Sequence, residues 1–152
     1  MKKLIIYFTL LLMVVGGCKK YDEGPLISLR SKEKRLCQEW KVDKYLLNGE
    51  DFTFYEEQYW TFEQNGDFLI YINYGNNEDQ GEYSWRWADD KESIEIKIIE
   101  DKSKSSFFFQ KFYKSTKADD WAKFQIKKLK FDQLVLEIKE DENDIRIEFA
   151  KK

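Results

Sequence analysis

The sequence predicts an all-β fold, an eight-stranded antiparallel up-and-down meander closed into a barrel. Three observations carry that prediction. Apolar and charged residues alternate over short segments, as in Ile94-Glu95-Ile96-Lys97-Ile98, Leu134-Val135-Leu136-Glu137-Ile138-Lys139 and Ile145-Arg146-Ile147-Glu148-Phe149. Period two with one polar face marks antiparallel strands that have one wet side. Turn formers separate these segments at hairpin spacing: Asn48-Gly49, Gln64-Asn65-Gly66-Asp67, Gly75-Asn76-Asn77, Asp89-Asp90, Phe131-Asp132-Gln133 and Asp141-Glu142-Asn143. The chain holds 5 Trp, 9 Tyr and 12 Phe, all but Tyr7 and Phe8 beyond residue 17, against only four alanines there. Rings without alanines suit pleated, half-buried surfaces better than helices. An open meander exposes two edges and closure removes them, leaving an interior wide enough for side chains or one small ligand. A two-sheet sandwich satisfies the same periodicity.

The first 17 residues stand apart from this body. Lys2 and Lys3 precede Leu4 to Val15, a run interrupted only by Thr9. As a helix the run is about 18 Å long, short of a hydrocarbon core of about 30 Å, so it is read as an export signal rather than a permanent span. Val15-Gly16-Gly17-Cys18 then sets small residues directly before a cysteine. This resembles the lipobox of bacterial lipoproteins, which implies removal of residues 1–17 and lipidation of Cys18 as the new first residue. One acyl chain anchors only reversibly, whereas the diacylglyceryl group that the resemblance implies holds stably. Lys19 stands where inner-membrane lipoproteins often carry Asp, which points to the outer membrane. Asp22-Glu23 after Lys19-Lys20-Tyr21 looks like the surface-export tags of some Gram-negative lipoproteins. The cell surface is therefore favoured over the periplasmic face.

Residues 18–35 read as a lipidated tether and a short helical turn. The tether holds the only proline, Pro25, and Ser31 is the N-cap of a turn ending near Leu36. Residues 36–152 form the barrel domain, with strands expected near 38–47, 57–64, 67–74, 81–87, 93–99, 122–130, 133–139 and 144–150. The connection 100–121 is too long for the meander. Its Phe107-Phe108-Phe109 and Phe112-Tyr113 read either as a ninth strand at 107–113 or as an apolar flap over one mouth of the barrel.

Leu36-Cys37-Gln38-Glu39-Trp40-Lys41-Val42 at the first strand, Trp60-Thr61-Phe62-Glu63-Gln64-Asn65-Gly66-Asp67-Phe68 at the first hairpin, and Phe124 to Leu129 with Leu134-Val135-Leu136 near the end follow one another in a telling order. Together they resemble the lipocalin-like lipoproteins of Gram-negative bacteria over about residues 36–150. The resemblance implies a lipocalin-like barrel with Trp40 closing one end. Gln38-Glu39-Trp40 stands here in place of the Gly-x-Trp of lipocalins.

Chemistry is bounded mainly by what is missing. With no histidine, a Ser-His-Asp triad, a His-containing zinc site and a His pH switch are excluded within the chain. Loss of Lys2 and Lys3 with the signal moves the net charge from −3 to −5, and no basic stripe is present, so no nucleic-acid partner is expected. Once Cys18 carries lipid, Cys37 is left without a disulfide partner and reads as a small buried hydrophobe. Asp141-Glu142-Asn143-Asp144 lacks the spaced ligands of a calcium loop, and no phosphate cradle, CxxC or HExxH occurs. No cofactor, metal or catalytic residue is expected. The carboxylates mostly alternate with apolar residues, where a solvated face is the plain reading.

Aromatic side chains are the candidate ligand-binding set. Trp60 and Phe62 share one parity of a strand, and Tyr83, Trp85 and Trp87 share one parity of another. Facing inward, they line a calyx for a small apolar ligand or else fill the barrel outright. The first case makes the chain an outer-membrane-anchored binding module. The second makes it an envelope or surface interaction protein, an accessory subunit or inhibitor, with a filled core.

Overall fold

Alternation becomes register in the computed structural model, which describes residues 21, 23, 29–52, 56–73, 75, 78–97, 121–140 and 143–152. A single turn of helix, α1 (Lys32–Leu36), is capped by the Ser31 hydroxyl, which accepts from the Lys34 backbone N–H. The strands follow: β1 (Glu39–Leu47), β2 (Glu50–Phe52), β3 (Glu57–Phe62), β4 (Asp67–Asn73), β5 (Glu78–Ala88), β6 (Ser93–Lys97), β7 (Trp121–Leu129), β8 (Gln133–Glu140) and β9 (Asn143–Lys151). All neighbours pair antiparallel in one sheet, and β9 returns to pair with β1 over Trp40↔Lys151 to Leu47↔Ile145. That last ladder closes the barrel and rules out the two-sheet sandwich. All eight expected strands are present. The export signal, Cys18, Pro25 and the aromatic stretch 107–113 lie outside the described residues.

Two departures from the expected strands have local causes. The short β2 follows the Asn48-Gly49 turn, where both residues take positive φ (53° and 85°) as a tight two-residue hairpin requires. Its Glu50-Asp51-Phe52 is too short and too acidic to show any period. β5 begins at Glu78 rather than 81, because its first three residues are polar and pair with Tyr71 to Asn73 at the barrel rim.

Bulges settle which side chains face in. Counting by twos from Trp40 places Lys44 inside. The β1–β9 register slips between Val42 and Lys44, however, and Tyr45 becomes the buried residue. A second slip between Ile126 and Lys128 brings Leu129 inward on β7. The core so formed runs from Leu36 and Trp40 through Trp60, Phe68, Phe124, Leu136 and Ile147. Outside, charges pair along the wall, as in Arg86–Glu95 at 2.6 Å and Arg146–Glu137 at 2.9 Å. Charge outside and apolar side chains inside is the reverse of what a lipid-facing barrel wall needs.

The two ends of the barrel differ. At the helix end sit α1, the β3–β4, β5–β6 and β7–β8 turns and the C-terminus. At the fork end β1 exchanges its partner: Glu39 to Lys41 pair with β3, whereas Tyr45 to Leu47 pair with β2. The wall therefore splits between β1 and β3.

Candidate functional site

The structure brings all five sequence-chosen aromatics to the inner face. Trp60 is fully buried and meets Phe68 (5.2 Å between ring centroids), Phe149 (5.1 Å) and Phe124 (6.3 Å, edge-on). β3 and β7 lie on opposite sides of the eight-stranded ring, so the Trp60–Phe124 contact crosses the lumen. Phe62 stacks on Phe68 at 4.7 Å and meets Trp85 edge-on at 5.6 Å, and Tyr83 packs on Phe68 at 5.9 Å. Such centroid spacings are those of rings in direct contact. At the helix end Trp85 Nε1 donates to the Glu63 carbonyl at 2.8 Å, which ties the ring to the β3–β4 turn. Trp87, only partly buried, meets Trp85 at 5.3 Å, and its Nε1 has no hydrogen-bond partner among the described residues.

A recess that the sequence did not flag opens where the wall splits. It is a cleft of about 300 Å³ lined by Val42, Asp43, Lys44, Tyr45, Asp51, Phe52, Glu56 and Gln58. Gln58, 3 % exposed, continues the inward parity of Trp60 and Phe62, and its Oε1 accepts from Tyr45 Oη at 2.7 Å. This hydrogen bond spans β1 and β3 where their ladder has ended. Burial pushes the Tyr45 phenol well above its usual range, and the Trp60 side chain acts as the smaller, opposing effect. On the rim, Lys44 pairs with Asp51 at 2.8 Å. The inward polar residue on β3 was the available signal for this recess, and the bulge at Asp43 hid the other half of it.

Two residues that precede α1 are docked on the barrel, Tyr21 at the helix end and Glu23 on the outer wall of β7 to β9. Tyr21 is buried, and its hydroxyl donates to the Lys91 carbonyl at 2.7 Å. The Glu23 backbone N–H donates to Lys127 O, and its carboxylate takes a two-pronged contact from Arg146 at 2.8 and 2.9 Å. The Arg146 side chain is the main reason that the Glu23 carboxyl lies below the usual carboxylate range. Arg35 is 6 % exposed and donates to the Leu129 carbonyl, which fastens α1 over the barrel end; its Nε has no partner among the described residues. Trp40 Nε1 donates to Leu36 O at 2.9 Å in the same cap. Cys37 is a free thiol pushed up to about 11, chiefly by burial, so it is protonated at neutral pH and a poor nucleophile.

Among the described residues no group of three or more His, Cys, Asp or Glu is placed to hold a metal ion. No described helix is long and apolar enough to cross a membrane. No protein-family model and no curated protein matches the chain.

Proposed function

We propose that the chain is a non-enzymatic envelope interaction protein, lipid-anchored through Cys18 at the outer membrane, whose barrel is a filled scaffold. The observation that supports this reading is the Trp60–Phe124 contact across the lumen, with Phe62, Tyr83 and Trp85 packed on the same ring cluster. Rings that already touch leave a small apolar ligand no room unless several part together, at the cost of contacts that hold the core. A panel of apolar ligands titrated against intrinsic Trp fluorescence is expected to give no saturable response in the wild type. A saturable response that Trp85→Ala abolishes returns the five aromatics to the role of a calyx lining.

A second reading is favoured by the fork cleft. Its volume suits one small molecule, and its surroundings are polar: the amide of Gln58, the rim carboxylates of Asp43, Asp51 and Glu56, and one apolar wall from Phe52 and Val42. A ligand there is small, polar and neutral or cationic rather than apolar. Chemical-shift changes confined to Tyr45, Phe52 and Gln58 on adding sugars or amines support it, and their absence removes it.

A further inference from the structure

Leu29 (102 % exposed) and Phe131 (41 %) are the large hydrophobic residues left exposed among those described. Both lie at the helix end, because Leu29 immediately precedes Arg30, whose guanidinium sits 4.1 Å from the Phe131 ring centroid. Lys151 Nζ lies 3.8 Å from the same centroid. Two cations thus lie over this one ring. Lys32, Lys34, Lys130 and Lys152 extend this basic sector over α1, the β7–β8 turn and the C-terminus. Its acids are Glu33, Asp132 and Glu39, the last paired with Lys152 at 2.8 Å. A net basic sector with apolar tips is notable on a chain whose overall charge is −3. Across the same end, the β3–β4 and β5–β6 turns are acidic, with Glu63, Asp67, Asp89, Asp90 and Glu92.

The docked tether places the anchor at this end. Tyr21 is buried against Lys91, and the Lys32 ammonium lies 4.9 Å from its ring centroid. Only Lys19 and Lys20 separate Cys18 from Tyr21, a reach of at most about 11 Å even when extended. A lipid on Cys18 therefore cannot carry the barrel away from the bilayer or let it turn its fork end inward while Tyr21 stays docked.

We propose that the helix end rests on an anionic lipid surface, with Phe131 and Leu29 at interfacial depth and the surrounding Lys and Arg on the phosphates. The proposal rests on the reading of Cys18 as the lipidated residue. Apolar tips ringed by Lys and Arg are what an interfacial contact uses, and each basic residue adds attraction to anionic headgroups. The acidic turns on the other side tilt the barrel, so the β7–β8 sector presses closest. The fork cleft then faces away from the membrane.

The experiment uses the lipidated full chain in vesicles of phosphatidylethanolamine and phosphatidylglycerol. An environment-sensitive dye is placed at Phe131→Cys or at Asn48→Cys, each with Cys37→Ala, and doxyl-labelled lipid serves as quencher. Quenching several-fold stronger at 131 than at 48 is expected, weakened by Lys34→Glu with Lys151→Glu. Amine labelling of the unsubstituted protein gives an independent measure: Lys34 and Lys151 are expected to be protected several-fold relative to Lys139 at the fork end. Equal quenching and equal labelling at the two ends, on a chain whose Cys18 peptide carries lipid by mass spectrometry, overturn the orientation and leave the anchor standing. An unmodified Cys18 overturns both.

Discussion

The helix end and the fork end are built from the same strand, yet they solve the problem of a barrel mouth in opposite ways. At the helix end β1 pairs on both sides, and Trp40 is buried beneath α1 with its indole bonded to Leu36 O. At the fork end β1 has given up β3 for β2, and a buried side-chain hydrogen bond, Tyr45 to Gln58, bridges the gap. The first mouth is closed mainly by apolar area, which is non-directional and tolerates approximate geometry, with Arg35 fastening α1 to Leu129 O. The second is held by a polar pair, which is worth little net while intact and costly once half removed. One barrel therefore has a stable plug and an adjustable seam.

Substitutions can break this contrast, and the largest effect is expected at the plug. Trp40→Ala removes a fully buried ring and should cost about 3–5 kcal/mol in urea unfolding. A loss below about 1 kcal/mol means that the end collapses around the gap, and the contrast fails. At the seam, Tyr45→Phe leaves Gln58 Oε1 buried without its donor and should cost about 1–3 kcal/mol. Adding Gln58→Leu should return part of that loss, and strict additivity in the double-mutant cycle excludes the bridge as the coupling. Ser31→Ala strips the cap from a helix of one turn and should cost about 0.5–1 kcal/mol, read in the same titration.

The tether sharpens the comparison through pH. Folding lowers the Glu23 carboxyl below its ordinary value, mainly through Arg146, so docking is favoured above the unfolded carboxylate range and lost as pH falls through the lowered value. Hydrogen exchange at the Glu23 amide, bonded to Lys127 O, should quicken as pH falls through that range once the intrinsic rate is divided out. Glu23→Gln should flatten that dependence, and an unchanged profile removes Arg146 as its origin. The smallest effect belongs to the rim. Lys44→Ala breaks an exposed pair with Asp51 and should leave the unfolding midpoint where it was.

Much of the fold could be read in advance because each strand announces itself locally. Ile94 and Ile96, or Ile145, Ile147 and Phe149, need only their own neighbours to show which face is apolar. The aromatic set Trp60, Phe62, Tyr83 and Trp85 could be placed inside on the same ground. Tyr45 could not, because a single extra residue at Asp43 reverses the parity of everything after it, and nothing in Val42-Asp43-Lys44 marks that slip. Gln58 was legible as a polar residue on an inward parity. Its partner was not, since the pairing depends on the bulge. β2 escaped for a different reason: three residues, two of them acidic, hold no period to detect.

By itself the sequence determined the eight strands of the barrel wall, the inward rings and the Ser31 cap, because these follow from propensities and periods within a few residues. Only the tertiary structure decided that β9 closes on β1, that Trp60 meets Phe124 across the lumen, and that β1 exchanges β3 for β2. It alone placed Tyr21 on the helix end and Glu23 against Arg146 on the outer wall. Each of these joins residues far apart in the chain. Local pattern shows that a face must be buried, and chain closure chooses what buries it.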